Sequence, residues 1–286
     1  MATLKEIRAR IKAAKNIQQI TKAMKLVAAA RLKKATDRVL EARPYTEKLR
    51  EVMGSLSTDE DLPTHPLMEK RTIKKACIIV VTSDRGLAGS YNGSLTRKAA
   101  DFIKDAAFDV SLLTVGKKGT QFFTRRNYNV VHSMTVPSSG ARLEDAIEVT
   151  RRARHMFESG EVDAIFVCYS KFYSAIRQVP QVVQLLPIQP PETKNPSAGA
   201  NNYEFEPEPA KLMNTLLPRY FQTLVWQSML EATASEFGAR MTAMTSATDN
   251  AGKMIQNLTL KANRERQAAI TKEILEVVGG AEALNK

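Results

Sequence analysis

Apolar positions follow a helical period at both ends of the chain and gather into short runs between helical stretches in its middle. From Thr3 to Arg43 the residues Leu4, Ile7, Ile11, Ala14, Ile17, Ile20, Met24, Val27, Ala28, Leu32, Ala35 and Val39 recur at steps of three and four, with basic residues between them. A stripe this narrow, kept up over roughly five heptads, predicts a coiled-coil arm rather than a helix lying on a globular core. Pro44 is expected to bend or interrupt that helix, and the pattern resumes through Tyr45, Leu49 and Met53 to Gly54. The acidic, proline-bearing segment from Ser55 to Pro66 reads as a connection.

The last third predicts one long helix. Leu224 to Val278 contains no proline and only two glycines, Gly238 and Gly252, among residues that lose little on entering a helix. About 55 residues at ~1.5 Å each make a rod of roughly 80 Å, too long to be buried within a domain of this chain's size. Pro218 makes the start of this helix ambiguous at its base. Between Ala232 and Gly252 most residues are Ala, Ser, Thr or Gly, which lets another backbone come close. Two arms rooted in one domain pair antiparallel. The second is the longer, at about 70 residues or more against about 55, so it should overhang by roughly 20 Å. The overhang carries Ile270, Ile274, Leu275, Val277 and Val278, and a lone helix with that face needs a partner from outside the chain.

Between the arms the pattern changes to short apolar runs at 77–82, 110–115, 129–134 and 164–170, separated by helical stretches around Ser94–Ala107, Lys118–Arg126 and Leu143–Glu158. This βαβ spacing predicts a largely parallel, helix-covered sheet. The run SAIRQVPQVVQLLPI returns as another strand, and Pro180 inside it points to an edge position, antiparallel to the strand before it. PPETKNPSAGANN is a loop leading into the final helix. The expected fold is therefore α/β: a long antiparallel coiled coil of N- and C-terminal helices plus a Rossmann-like α/β domain with a mostly parallel sheet, divided at 1–56, 57–208 and 209–286.

Charge narrows the choice of partners. The chain of 286 residues has a formal net charge of +12, and residues 1–50 alone carry 14 Lys and Arg against 4 Asp and Glu. A concentrated cationic rod implies an anionic surface nearby, whether nucleic acid, lipid headgroups or acidic protein loops. No run is long and apolar enough for a membrane span, and neither a secretory signal nor a transit peptide is expected at the N-terminus. Cys77 and Cys168 sit in strand-like runs without metal-ligand spacing, which favours a reducing compartment. His65, His132 and His155 are scattered, so no metal site and no catalytic histidine is expected.

The motif closest to chemistry is VVTSDRGLAGSYNGS, a strand, a glycine-rich turn and a helix start. It lacks the G-K-[ST] of a P-loop, and Gly86, Gly89 and Gly93 do not fit G-x-G-x-x-G. Gly116-Lys117-Lys118-Gly119 is a second turn of the same kind. No Ser/His/Asp set and no paired carboxylates are present, so no catalytic centre and no cofactor is expected.

These residues carry a resemblance. KNIQQITKAMKLVAAARLKKA with Arg43-Pro44-Tyr45, the central SDRGLAGSYN and QVPQVVQLLP, and the C-terminal SEFGARMTAMTSATDNAGKMI with NRERQAAITKEILEVVGGAEAL resemble the gamma subunit of F-type ATP synthases over essentially the whole chain. The resemblance implies a central rotary shaft inside a hexamer of alpha and beta subunits, with the α/β domain on the epsilon subunit and the membrane c-ring. It implies that Arg266, Gln267 and Thr271 contact a beta subunit and that Arg85 and Ala88 lie in a loop meeting a beta lever. It also implies that Met24 and Arg240 matter for coupling. The absence of a long cysteine-bearing insertion, with the expected lack of a transit peptide, points to a bacterial form, peripheral on the cytoplasmic face of the membrane. Two rival readings are a basic coiled coil that binds nucleic acid and an α/β enzyme that binds nucleotide at the Gly86–Gly93 loop.

Overall fold

The structure is a computed structural model, which describes residues 3–56, 65–189 and 208–284. Two long helices, α1 (Leu4–Leu56) and α5 (Pro209–Leu284), flank a sheet domain. The chain divides into two compact units, Met1–Val27 with Met241–Lys286, and Ala28–Arg240.

In the first unit α1 and α5 meet along a heptad seam. On α1 the seam positions are Leu4, Ile7, Ile11, Ala14, Gln18, Thr21 and Lys25, and on α5 they include Met244, Thr248, Ala251, Ile255, Leu258, Ala262 and Glu265, all of them buried or half-buried. The register is antiparallel. Thr248 Oγ1 donates to Thr21 Oγ1 at 2.8 Å, and one turn on, a Cβ at Gly252 would come within 3.1 Å of Gln18 Nε2. Ile17, Ile20 and Val27, expected in the seam, are 54%, 59% and 52% exposed. From Leu4 the seam steps by three and four in strict alternation, so after Ala14 it reaches Gln18, whereas the apolar pattern stepped short to Ile17. Small and polar residues fill the seam there because they allow a close approach of the backbones.

The second unit is a three-layer α/β domain to which α1 and α5 contribute. Strands β1 (Lys75–Val81), β2 (Asp109–Val115), β3 (Val130–Met134), β4 (Ala164–Phe172) and β5 (Gln178–Leu186) lie in the order β3-β2-β1-β4-β5. All neighbours are parallel except β4 and β5. Pro180 sits in β5, at the edge, as its missing N–H requires. Alternation along β1 sends Cys77, Ile79 and Val81 to one face and Ala76, Ile78 and Val80 to the other. The first face is covered by α4 (Leu143–Glu158), by Leu49 and Met53 of α1 and by Met213, Leu217, Phe221 and Val225 of α5. The second is covered by α2 (Tyr91–Asp105) and α3 (Lys117–Thr124), through Leu95, Ala99 and Phe123. Higher up, Ala35 and Val39 of α1 pack on Leu230, Ala234 and Phe237 of α5.

Both helix-internal prolines are accommodated without ending their helices. Helix α1 runs through Pro44, and α5 starts at Pro209 and runs through Pro218. In each case the residue four earlier, Leu40 or Asn214, is on the exposed side of its helix, where water can take up the carbonyl that proline leaves without a donor. The segment 190–202, expected as a loop, and most of the Ser55–Pro66 connection lie outside the described residues.

Candidate functional site

The turn after β1 is built by its own side chains. Thr82 Oγ1 donates to the Val115 carbonyl at 3.0 Å and accepts from the Gly119 amide at 2.9 Å, which joins the turns after β1 and β2. That closeness explains Gly116: its φ is +97°, and a Cβ there would stand 2.3 Å from the Thr82 carbonyl oxygen. Asp84 Oδ1 accepts from the amides of Lys117 at 2.9 Å and Val136 at 3.4 Å, so it ties three strand ends together. Asn92 Oδ1 accepts from the Ser83 amide at 3.1 Å, and Ser83 Oγ donates to the Arg85 carbonyl at 2.7 Å. The amides that a phosphate would need in the turn after β2 are thus spent inside the protein, which weighs against reading that turn as a nucleotide cradle.

Helix α5 lies across the C-terminal edge of the sheet. Ser235 Oγ donates to the Ser170 carbonyl of β4 at 2.8 Å, and Tyr91 Oη donates to the Ala232 carbonyl at 3.1 Å. The strand order reverses between β1 and β4, so this is the crevice where open α/β sheets bind ligands. Here a helix of the same chain fills it. Burial pushes the Tyr91 hydroxyl far above its ordinary range, in keeping with a permanent neutral donor.

Arg240 completes this contact. It is 8% exposed, pairs with Glu236 Oε1 at 2.6 Å, and its other guanidinium nitrogen points at the carbonyls of Gly86 (3.3 Å) and Arg85 (3.5 Å). Its guanidinium carbon lies 5.8 Å from the centre of the Phe237 ring. Burial raises the Glu236 carboxyl above the usual range, with Arg240 pulling it back down. Arg240, Arg85 and Ala88 therefore belong to one assembly, although over 150 positions separate them in the chain. Ala88 is buried and anchors the loop, while Arg85 and Leu87 are exposed at its tip. Leu87 has a φ of +62°, so the loop presents an apolar side chain from a backbone geometry that such residues rarely adopt.

The other sequence-predicted residues lie in the first unit. Met24 is half-buried and sits one position before Lys25, which occupies the seam. Arg266, Gln267 and Thr271 are exposed on α5, past the last seam residue, Glu265. Beyond Glu265 every residue through Gly280 is exposed, including Ile270 at 48%, Ile274 at 56%, Leu275 at 65%, Val277 at 72% and Val278 at 54%. An uncovered apolar stretch on this scale marks an interaction surface. Charge in the unit is uneven: residues 1–27 carry 7 Lys and Arg against Glu6 alone, while 241–286 carry 6 against 5 Asp and Glu. Sequence reasoning missed the pairing of Glu236 with Arg240; its one signal was the spacing of four on a predicted helix. No group of three or more His, Cys, Asp or Glu among the described residues is arranged to hold a metal.

A family model described as ATP synthase matches residues 3–284. The ATP synthase gamma chain of Brevibacillus brevis is 46% identical over 283 residues, covering 98% of each chain. That of Moorella thermoacetica is 46% identical over 284 residues, covering 99% of this chain and 100% of its own. Among solved structures, the central stalk and c-ring of Tetrahymena thermophila mitochondrial ATP synthase contains a chain that is 25% identical with a TM-score of 0.61, covering 80% of this chain and 99% of that one. A chain of the Euglena gracilis mitochondrial ATP synthase matches the fold with a TM-score of 0.71 at 18% identity, over 98% of this chain and 94% of its own.

Proposed function

The chain belongs to the family of ATP synthase gamma chains and is the central rotary shaft of that machine, and we propose that it couples through contacts that differ around its circumference. In this role it links ion flow through the membrane rotor to ATP synthesis and hydrolysis in the alpha-beta hexamer. The observation that carries the coupling mechanism is the bare, apolar end of α5 on a rod whose two helices differ in charge. Enclosing Ile270, Ile274, Leu275, Val277 and Val278 in a sleeve of alpha and beta subunits would contribute several kcal/mol before the cost of association. A rod with one strongly basic helix and one near-neutral helix presents a different charge to each of three surrounding subunits. Only such differential contacts can hold identical subunits in different conformations, since a partner with equal affinity for all states shifts none of them.

In this reading the chain contributes no catalytic group of its own. Arg266 and Gln267, exposed beyond the seam, make charge-assisted hydrogen bonds to a beta carboxylate, and Thr271 adds a hydroxyl one turn on. Arg85 meets a beta lever from the loop that Ala88 anchors and Arg240 holds. Met24 lies on the half-buried flank of the basic helix. The parts act as helix 1–56, α/β domain 57–208 and helix 209–286, with the domain standing on the epsilon subunit and the c-ring. No described helix is long and apolar enough to cross a membrane, which supports peripheral attachment; the cytoplasmic face of a bacterial membrane is the proposed location. The test is rotation. A bead fixed to the α/β domain of a surface-anchored complex should turn in one direction on addition of ATP, and full-speed hydrolysis with the bead clamped would refute the mechanism. Arg266→Ala should slow synthesis and hydrolysis in the assembled complex while leaving the isolated chain's stability within about 0.5 kcal/mol.

A further inference from the structure

We propose that the face of the α/β unit formed by α4 and β3 carries a binding site for a phosphoryl group. A cavity of about 290 Å³ opens there, lined by His132, Glu148, Arg151, Arg152 and His155. Four of these stand at steps of three, one and three along α4, which places them on one face of the helix, and His132 faces them from the outermost strand. All five lining side chains end in polar or charged groups.

Two independent features mark it as unfinished without a ligand. The first is His132 Nε2, which is buried and makes no hydrogen bond, although Glu148 Oε1 stands 3.5 Å away. Leaving such an atom without a partner is costly, and an anion in the cavity would supply one. The second is the pairing of arginines on α4. Arg154 pairs with Glu158 at 3.4 Å, and Arg142 at the helix start pairs with Asp145 at 3.4 Å. Arg151 and Arg152, the two that face the cavity, have neither a hydrogen bond nor an ion pair among the described residues.

The chemistry selects the class of ligand. Two guanidiniums against one carboxylate keep the cavity positive whatever the state of the imidazoles, and no set of ligands for a metal exists among the described residues. Guanidinium forks and imidazole N–H groups match the several acceptor oxygens of a tetrahedral phosphoryl group. The volume stands at the lower end of the range of ligand sites, roughly 300–1,000 Å³, and suits a phosphate or the phosphate end of a larger molecule. Inorganic phosphate and the headgroup of an anionic phospholipid share this chemistry. The site does not depend on the rotary role.

The chain has three histidines, which makes the test direct. The ring C–H signals of the full chain are followed by NMR during titration with inorganic phosphate at fixed pH and ionic strength. The expected result is a saturable shift of the His132 and His155 signals while His65, outside the cavity, stays still. In an Arg151→Gln, Arg152→Gln variant, whose exposed positions leave the far-UV spectrum unchanged, the apparent dissociation constant should rise at least tenfold. A second arm measures cosedimentation with vesicles of phosphatidylcholine containing phosphatidylglycerol, against phosphatidylcholine alone. Binding to the anionic vesicles that the double variant loses, without a response to free phosphate, assigns the site to a lipid headgroup. An equal, unsaturable drift of all three signals, unchanged in the double variant and with no variant-sensitive vesicle binding, overturns the proposal.

Discussion

Removing Arg240 tests the link between α5 and the loop that carries Arg85. In Arg240→Ala the Glu236 carboxylate loses its partner while both positions stay largely enclosed, with side-chain exposures of 10% for Arg240 and 18% for Glu236. Breaking a buried pair from one side costs ~3–5 kcal/mol, because the charge left behind has no compensation. For a unit of this size ~3 kcal/mol corresponds to a fall of roughly 6–12 °C in the unfolding temperature. The pH dependence distinguishes this cause from lost packing. Glu236 is an acid with a raised folded-state value, so the folded chain takes up its proton at higher pH than the unfolded chain does. Its ionisation therefore costs stability as pH rises from the ordinary carboxylate range through the folded value, and removing Arg240 enlarges that cost. Circular dichroism melts of Arg240→Ala should show the largest deficit at pH 8 and a smaller one at pH 5. Glu236→Gln combined with Arg240→Met removes both charges and should recover most of the stability at pH 8. Hydrogen exchange in the 85–88 loop should stay fast in the double variant, because the guanidinium that reaches the Arg85 and Gly86 carbonyls is still missing. A deficit that does not change with pH and is as large in the double variant would refute this account.

Thr21→Cys with Thr248→Cys should form a disulfide within one molecule, since the two hydroxyls already meet at 2.8 Å; bonds formed only between molecules, read on a non-reducing gel, would reject the antiparallel register. The native thiols should not interfere: burial pushes Cys77 and Cys168 each up to about 12, so alkylation at pH 8 followed by mass spectrometry should label neither until the chain unfolds. Gly116→Ala should cost at least ~2 kcal/mol in denaturant unfolding, because its φ is left-handed and the Thr82 carbonyl occupies the space a Cβ needs; a neutral result would mean that the turn relaxes freely.

Local periodicity was enough to determine most of the elements. The short continuous apolar runs CIIVVT and AIFVCYS specified strands buried on both faces, and Pro180 specified an edge, because these depend on neighbours within a few residues. The two arms and the uncovered end of α5 were also legible, since the seam repeats every seven residues and the helices differ in length. The seam's path past Ala14 was not. Ile17 and Gln18 are both permitted by steps of three or four, and only the approach of Gly252 and Thr248 decides for the polar residue. Pro44 was expected to bend or interrupt α1, and Pro218 left the start of α5 open, because sequence alone does not say which carbonyls face water. The functional loop divides in the same way. Its glycines and Asp84 were visible as a turn, but nothing local connects Arg240 to a carbonyl more than 150 residues earlier, or brings His132 on a strand opposite His155 on a helix. Contacts of that kind come from the order in which strands join the sheet, and the tertiary structure alone decides them.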